Sequence, residues 1–300
     1  MEATLTNSAS DSLPNPEAPR LPRKPPLREK LAFLGLKSAF TLGSFLAPDR
    51  TAREALRYFM TPTRIPAPGW EKELRATARR TVLRSGLVSY AWGEGPRVLL
   101  VHGWDGRGTQ MGKLASAFVA AGFEAVVVDL PGHGESPGDL THIPLVKDAL
   151  LGVDAEIGPF KAVVAHSFGA GASLYALFHG LRAERIVYLA GPARFTDLFD
   201  RYCAFVGVHG RARELFYEKV ERLVGMDPAE NYPLVWAKKV DQPALIVHDR
   251  DDEDAPFAEG DEMRRTWKGA RFLPTANLGH RRILKSKDVI AAAVDFVSSE

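Results

Sequence analysis

One serine stands out in this sequence because of the residues on either side of it. Ser167 lies shortly after the apolar run 162–165 and shortly before the helix-like stretch 172–180. The positions two before and two after it hold the small residues Ala165 and Gly169, as a sharp turn from a strand into a helix requires. Such a turn exposes the hydroxyl as a nucleophile, although a serine that only caps a helix shows a similar short pattern.

An acid and a base that suit such a serine come later in the chain. Five acidic residues occupy the segment 249–254, which follows the apolar run 244–247 and His248. His280 follows Gly279 in a predicted loop before the last helix. A histidine can take the proton of a serine hydroxyl, and an acid can hold the imidazole ring in the required tautomer. The three residue types therefore predict nucleophilic catalysis by a triad.

The elements around these residues alternate between short β-rich runs and helical stretches. From about residue 80 the runs are VLRSGLVSYAW, RVLLVHG, FEAVVVDL, FKAVVAHS, ERIVYLA, ALIVHD and ARFLP. Several have continuously apolar centres, which is typical of strands that are buried on both faces. Alternation with helices predicts an α/β protein with a doubly wound, mostly parallel sheet. Ligands of such sheets bind beyond the carboxyl ends of the strands.

Five motifs in a fixed order make the chain similar to the α/β-hydrolase superfamily. They are His102-Gly103-Trp104, DLPGHGES at 129–136, AHSFGAG at 165–171, the acidic strand end at 249–254 and Gly279-His280. The resemblance extends from about residue 80 to the C-terminus. It implies the α/β-hydrolase fold with a small helical cap, and a triad in the chain order Ser, Asp, His.

The resemblance also selects the triad acid. Relatives have a proline four residues after the acid, which aligns Asp252 with Pro256 and leaves Asp251 as a close rival. Asp249 occupies a position where relatives usually have glycine. We expect the rest of the acidic run to be a solvated loop.

Two backbone groups complete the site that the resemblance implies. The N–H groups of Trp104 and Phe168 are expected to form an oxyanion hole, which stabilises the charge that develops on the substrate oxygen. His133 lies in the glycine-rich turn of the second motif, to which the resemblance gives a structural role.

Composition and pattern divide the chain into three predicted regions. Residues 1–28 hold six prolines among polar and basic residues, which predicts a disordered tail. Residues 29–79 form a predicted helical extension, and residues 80–300 form the hydrolase domain with a cap insertion at about 191–240. We expect some aromatic residues of this insertion to pack its core and the others to line an acyl pocket: Phe195, Phe199, Tyr202, Phe205, Phe216, Tyr217, Tyr232 and Trp236.

The segment 31–47 is apolar around most of a helical circumference, and two interpretations of it stay open. One is a helix that packs on the enzyme body. The other is an anchor on a membrane surface formed by residues 20–47, in which the basic residues of 20–30 assist. With 17 residues and a central Lys37, the segment is short for a helix that spans a membrane, which needs about 20 apolar residues.

Charge and cysteine content exclude several classes of protein. The net charge is only +2, from 39 basic and 37 acidic residues, so no overall field draws the chain to nucleic acid. With Cys203 as the single cysteine, no intramolecular disulfide can form, which suits a reducing compartment. The polar N-terminus lacks the pattern of a signal peptide, so we expect a cytoplasmic protein, with membrane association as the alternative. No zinc-site spacing or phosphate-binding loop is present, so neither a metal nor a cofactor is expected.

The expected activity is hydrolysis of a small-molecule carboxylic ester through an acyl-enzyme intermediate on Ser167. The fold hosts many reactions, so the preference for an ester rests on analogy with the family. Cleavage of a thioester, an amide or a carbon–carbon bond is one alternative. A protein that binds a small ligand without significant turnover is another.

Overall fold

A computed structural model describes residues 27–225, 227 and 232–299 of the chain. The predicted tail 1–28 lies outside the described residues, except for its last two residues, which begin the first helix. Within the described part, eight strands form one sheet and twelve α-helices accompany it. This confirms the predicted α/β-hydrolase fold class.

The sheet is parallel except at one edge. Its strands are β1 (Arg79–Val82), β2 (Val88–Trp92), β3 (Arg97–Val101), β4 (Glu124–Val128), β5 (Ala162–His166), β6 (Ile186–Leu189), β7 (Ala244–Asp249) and β8 (Arg271–Thr275). Their order is β1-β2-β4-β3-β5-β6-β7-β8. Only β2 runs antiparallel to its neighbours, β1 and β4, and the remaining pairs are parallel, as predicted.

The helices cover both faces of this sheet. They are α1 (Leu27–Leu46), α2 (Pro48–Met60), α3 (Gly69–Ala76), α4 (Gly112–Ala120), α5 (Ile143–Ile157), α6 (Phe168–Phe178), α7 (Phe195–Val206), α8 (Gly210–Val224), α9 (Pro233–Ala237), α10 (Phe257–Thr266), α11 (Gly279–Arg282) and α12 (Lys287–Ser298). Short 3₁₀ turns occupy 108–111 and 283–285.

The continuous apolar runs form the central strands because both of their faces are buried. Leu99 pairs in register with Val163, and Leu100 with Val164, and none of the four is exposed. The first pair belongs to the core that includes α5 and α6, and the second to the core that includes α4 and α12. Alternate side chains along one strand therefore enter two different cores.

The first predicted run, VLRSGLVSYAW, is two strands and not one. It forms most of the antiparallel hairpin β1–β2, in which Val82 pairs with Val88. Gly86 has a φ of 84° in the connecting turn, a conformation that glycine adopts without strain. Because apolar residues flank the turn on both sides, the sequence does not indicate where one strand ends and the next begins.

Helices α1 and α2 of the N-terminal extension pack on the insertion between β6 and β7, which holds α7, α8 and α9. The ring of Phe33 on α1 lies 4.5 Å from the ring of Phe205 on α7. The hydroxyl of Tyr202 on α7 donates to the carbonyl oxygen of Ala55 on α2 at 2.7 Å. The extension and the insertion therefore form one helical layer.

Helix α1 is held through one of its faces. Phe40 is 6% exposed, and the hydroxyl of Ser44 accepts a hydrogen bond from the N–H of His209 at 3.3 Å. Of the two interpretations of the segment 31–47, packing on the enzyme body is thus seen for this one face. In the part of the chain that is described, no helix is long and apolar enough to cross a membrane.

The glycine-rich turn after β4 is held by one side chain from another segment, Arg64, and by the side chain of its own first residue, Asp129. Arg64 donates to the carbonyl oxygens of Gly134, Ser136 and Gly138 at 2.6, 2.8 and 2.9 Å. The buried carboxylate of Asp129 accepts from two backbone N–H groups, which belong to residues 108 and 135. These bonds satisfy a loop backbone that leaves the sheet beside the candidate site.

Candidate active site

The chain turns sharply at Ser167, between β5 and α6. Ser167 has a φ of 54° and a ψ of −124°, a conformation that few residues other than glycine adopt. A Cβ at Gly169 would lie 2.2 Å from the carbonyl oxygen of His102, so this position requires glycine. The turn leaves Ser167 half-buried at the carboxyl end of the sheet, where the sequence predicted it.

Two hydrogen bonds join three of the predicted residues. Ser167 Oγ lies 2.8 Å from His280 Nε2, and His280 Nδ1 lies 2.8 Å from Asp252 Oδ2. Because an ionised carboxylate only accepts hydrogen bonds, Nδ1 carries the proton, and Nε2 of the neutral ring can accept the serine proton. The three residues come from the ends of β5 and β7 and from the start of α11.

The carboxylate of Asp252 is stabilised in its ionised form. Its side chain is fully buried, and its Oδ1 accepts from the N–H groups of Asp254 and Ala255 at 2.9 and 2.8 Å. Burial acts to raise the pKa of Asp252, but the hydrogen bonds from His280 and from the Ala255 N–H outweigh it and lower the pKa. Asp252 is therefore ionised at neutral pH.

Asp251, the rival acid, has a different partner. It is exposed, and its Oδ2 accepts from the N–H of Asn277 at 2.6 Å. Asn277 has a φ of 64°, in the left-handed region. Of the two acids, Asp252 is the one that the structure places against His280.

The expectation of a solvated loop is wrong for Asp249. This residue ends β7, is not exposed, and accepts from Gly279 N–H at 2.8 Å, Leu278 N–H at 3.2 Å and Thr275 Oγ at 2.7 Å. Burial acts to raise its pKa, but the hydroxyl and backbone donors together lower it. Asp249 thus supplies acceptors to the loop that ends at His280, a role that a glycine at this position cannot fill.

The predicted oxyanion donors lie beside Ser167. A Cβ at Gly103 would lie 3.0 Å from Ser167 Cβ, which shows how closely this backbone approaches the serine. Trp104 follows Gly103, and its ring stands edge-on to the ring of Phe168 with centroids 5.2 Å apart. Within the described residues, the N–H groups of Trp104 and Phe168 donate to no protein acceptor, so both are available to a ligand.

A cavity of about 790 Å³ opens over these residues, and Ser167, His280, Trp104 and Phe168 lie in its wall. This volume is typical of a site for a small molecule. Four aromatic residues of the predicted insertion also line it: Phe195, Phe199, Tyr202 and Phe205.

Helix α2 adds Tyr58, Phe59 and Met60 to the same wall. The sequence did not predict this contribution to the cavity wall. The apolar positions 52, 55, 56, 59 and 60 of α2 follow the spacing of a one-faced helix, which needs a partner surface but does not reveal which one.

A comparison with known proteins identifies the family of the chain. The model of the Alpha/beta hydrolase family matches residues 98–293, which is more than half of the chain. The chain belongs to this family. The resemblance seen in the five motifs is thereby confirmed.

Curated relatives match only part of this hydrolase. A pimeloyl-[acyl-carrier protein] methyl ester esterase of Xanthomonas campestris is 31% identical over 104 residues, which are 35% of this chain and 40% of the relative. The chain thus matches about two-fifths of the length of the curated relatives that resemble it.

Solved structures of other hydrolases share the fold. An esterase from Exiguobacterium antarcticum has a TM-score of 0.58 at 15% identity, over 74% of this chain and 100% of its own. An esterase from Pyrococcus furiosus has a TM-score of 0.60 at 17% identity, over 79% and 98%. A thioesterase domain from the curacin biosynthetic pathway has a TM-score of 0.55 at 16% identity, over 74% and 99%. At these identities the likeness shows the fold alone.

Two further histidines of this hydrolase are buried around the site. His166 Nε2 donates to the carbonyl oxygen of His280 at 2.8 Å, and burial lowers the pKa of His166 to about 3. His102 Nδ1 donates to the Gly103 carbonyl at 2.7 Å while its Nε2 accepts from the N–H of Leu130 at 3.1 Å. Burial also lowers the pKa of His102 to about 3, so both rings are neutral near pH 7.

His133, in the glycine-rich turn, does not contact Ser167. Its ring is buried, and its Nδ1 donates to the carbonyl oxygen of Pro131 at 3.0 Å. Among the residues that the structure describes, no group of three His, Cys, Asp or Glu side chains could hold a metal ion.

Proposed function

We propose that this α/β hydrolase cleaves a carboxylic ester through an acyl-enzyme intermediate on Ser167. The observation that carries the proposal is the 2.8 Å separation of Ser167 Oγ and His280 Nε2, with the ring held by the buried carboxylate of Asp252. A hydroxyl at hydrogen-bond distance from an oriented imidazole is the arrangement that general-base activation requires.

In the first half of the reaction, Ser167 Oγ forms a bond to the ester carbonyl carbon while His280 Nε2 takes the hydroxyl proton. The carbonyl oxygen becomes an oxyanion, to which the N–H groups of Trp104 and Phe168 donate. Asp252 stays ionised and stabilises the imidazolium. The carbon–oxygen bond to the alcohol then breaks, and His280 returns the proton to the departing alkoxide.

In the second half, water attacks the acyl-enzyme while His280 Nε2 takes one of its protons. The bond between the acyl carbon and Ser167 Oγ breaks, and the proton passes from His280 to Ser167. A carboxylic acid leaves, and the serine hydroxyl is restored.

An ester with an apolar acyl group suits the cavity. Its wall is rich in aromatic side chains, among them Phe59, Phe199 and Tyr202. The methyl ester esterase of Xanthomonas campestris and the solved esterases support an ester over the other bonds that the fold can cleave. The thioesterase domain from the curacin pathway makes a thioester the first alternative to test.

The test is hydrolysis of p-nitrophenyl esters from acetate to palmitate by the wild type and by Ser167→Ala. We expect activity in the wild type and a loss of about a millionfold in kcat for the variant, the size seen when a serine nucleophile is removed. A fluorophosphonate, which labels activated serines, should attach to Ser167, as peptide mass spectrometry would show.

Ser173→Ala is the matched control. Ser173 lies on α6, is fully buried, and its hydroxyl lacks a hydrogen-bond partner within the described residues. It should retain full activity and labelling. Ester hydrolysis that persists in Ser167→Ala would overturn the assignment of the nucleophile. Labelling without ester turnover would instead direct the search to thioester, amide and carbon–carbon substrates.

A further inference from the structure

Helix α1 carries large apolar side chains on the face that points away from the protein. Those more than half exposed are Leu31 at 58%, Leu34 at 56%, Leu42 at 60%, Phe45 at 73% and Leu46 at 74%. Leu31, Leu34, Leu42 and Phe45 recur at i, i+3, i+11 and i+14, so they form one stripe along the helix. The exposed, uncharged Ser38 separates the two pairs, and an exposed apolar helix face of this kind is a candidate interaction site.

This stripe is free of charge. Lys37 is the only charged residue between positions 31 and 47, and it is half-buried against the end of α7, where Gly207 lies beside its carbonyl oxygen. A surface helix of a soluble protein usually places charged residues on its solvent side. Helix α1 lacks them there, so water is a poor partner for this face.

The stripe cannot turn inward, because the opposite face of α1 is already engaged. Phe40 is buried there, Phe33 packs on Phe205, and Ser44 binds the backbone of residue 209. The ring of Phe45 touches the ring of His209, with centroids 4.6 Å apart, but stays 73% exposed. The apolar stripe is therefore a fixed outer surface of the helical layer, available to an external partner.

The charge of the preceding segment identifies the partner. Residues 20–30 contain five basic residues and one acidic residue, and they lead directly into the stripe. Each basic residue near an anionic lipid surface contributes to binding, and an apolar helix face beside such a cluster is typical of helices that lie in the membrane interface. In a parallel pair of α1 helices two basic segments would repel each other, and in an antiparallel pair neither would meet an acidic residue on the segment 31–47, whose only charged residue is Lys37.

The position of the cavity fits the same surface. Phe205, which is 61% exposed, lines the cavity over Ser167 and touches Phe33 of α1. The cavity wall and the outer stripe are thus separated by about one helix diameter, roughly 10 Å.

We propose that α1 is an interfacial anchor, which lays its stripe into the surface of an anionic bilayer and holds the cavity close to that surface. The anchor lies in the plane of the membrane and does not cross it. The proposal concerns binding to lipid and is independent of the bond that the enzyme cleaves.

The test is co-sedimentation of the full chain with vesicles made of equal parts phosphatidylcholine and phosphatidylglycerol. We expect the wild type to pellet with these vesicles, and the double variant Leu42→Asp/Phe45→Asp to bind at least about tenfold more weakly, because two apolar contacts become charges. Vesicles of phosphatidylcholine alone should bind the wild type less, and added salt should weaken binding to the anionic vesicles.

The matched control is Val82→Asp/Leu140→Asp. These two residues are 55% and 47% exposed and lie on β1 and in the turn after β4, away from α1. The control should bind as the wild type does, and circular dichroism of both double variants establishes that they are folded. A second measurement avoids new charges. In Phe45→Trp, the fluorescence that remains after the wild-type spectrum is subtracted should shift to the blue when anionic vesicles are added, because the new tryptophan enters the lipid.

Three results would overturn the anchor. One is a wild-type protein that does not pellet with anionic vesicles. Another is equal binding by the α1 variant and the wild type. The third is a dimer in solution without lipid that the α1 variant dissociates, since the stripe would then belong to a second copy of the chain.

Discussion

His166, the residue before the nucleophile, donates from Nε2 to the backbone carbonyl oxygen of His280 at 2.8 Å. The strand end that carries Ser167 and the loop that carries His280 are therefore joined twice, once by side chains and once by this bond. The second bond does not involve the reacting atoms. It fixes the backbone of His280 relative to Ser167, so His166 is a positioning residue.

Replacing His166 with Phe removes the donor and keeps a flat ring. We expect kcat to fall about tenfold with KM nearly unchanged, because a misplaced base affects the transition state more than substrate binding. His166→Gln, whose amide still donates, should retain more activity. Steady-state kinetics with a p-nitrophenyl ester measures both constants, and the exposed His179→Phe is the control. Equal losses in the His166 and His179 variants would contradict a positioning role.

Asp249→Asn should also lower kcat, because the amide puts a donor where the carboxylate accepts from backbone N–H groups of the His280 loop. We expect a loss of about tenfold or more, together with a lower melting temperature. Asp251→Asn is the matched control, since its single hydrogen bond to Asn277 lies at the surface and should be worth less. Labelling by a fluorophosphonate separates the loss of kcat from the loss of stability. At a temperature where Asp249→Asn is folded, the rate of labelling of Ser167 should fall in proportion to kcat.

The buried histidines should make the protein sensitive to acid. The pKa values of His102 and His166 are lowered by burial to about 3, whereas in the unfolded chain a histidine binds a proton below about pH 6.5. Between these values only the unfolded chain takes up the proton, so the free energy of unfolding falls as pH falls. The slope is at most about 1.4 kcal/mol per pH unit for each ring.

Urea unfolding measured between about pH 7 and about pH 5 checks this slope. His102→Gln should flatten it, because one of the two rings is gone, even if the variant is less stable at neutral pH. An unchanged slope in this variant would show that His102 is not a source of the acid sensitivity.

Phe59→Ala should shift the preferred ester to a longer acyl chain, because the ring lies in the cavity wall against Phe199 and Tyr202. The free energy of unfolding should fall by less than the roughly 3–5 kcal/mol typical of a fully buried phenylalanine, since Phe59 is only partly buried. The ratio of kcat/KM for octanoate and acetate esters measures the shift. Phe178→Ala, on α6 and outside the cavity wall, should leave this ratio unchanged.

The parts of the site that the sequence predicts are those governed by local backbone demands. Gly169 marks the turn at Ser167 because any side chain there meets the His102 carbonyl. Parallel strands end at one edge of the sheet, which brings the residues that follow β5 and β7 near each other. Ser167 and Asp252 accordingly lie on either side of His280.

What the sequence did not predict depends on contacts between distant segments. Asp249 looked like part of a solvated acidic run, and its burial depends on donors that lie about 30 positions later in the chain. The role of α2 in the cavity wall depends on its packing against the insertion, where, for example, Tyr202 bonds to Ala55, 147 positions away. No local sequence pattern shows which surface of the protein such a helix packs against.

The bond between Tyr202 and Ala55 also shows which segments together determine substrate preference. The cavity wall is built jointly by α2, which precedes the sheet, and by α7 and α8, which interrupt it. The insertion is consequently not an interchangeable module. A chimera that received only residues 191–240 from a homologue would set foreign side chains against the resident Phe59, so selectivity should transfer only when both segments are exchanged together.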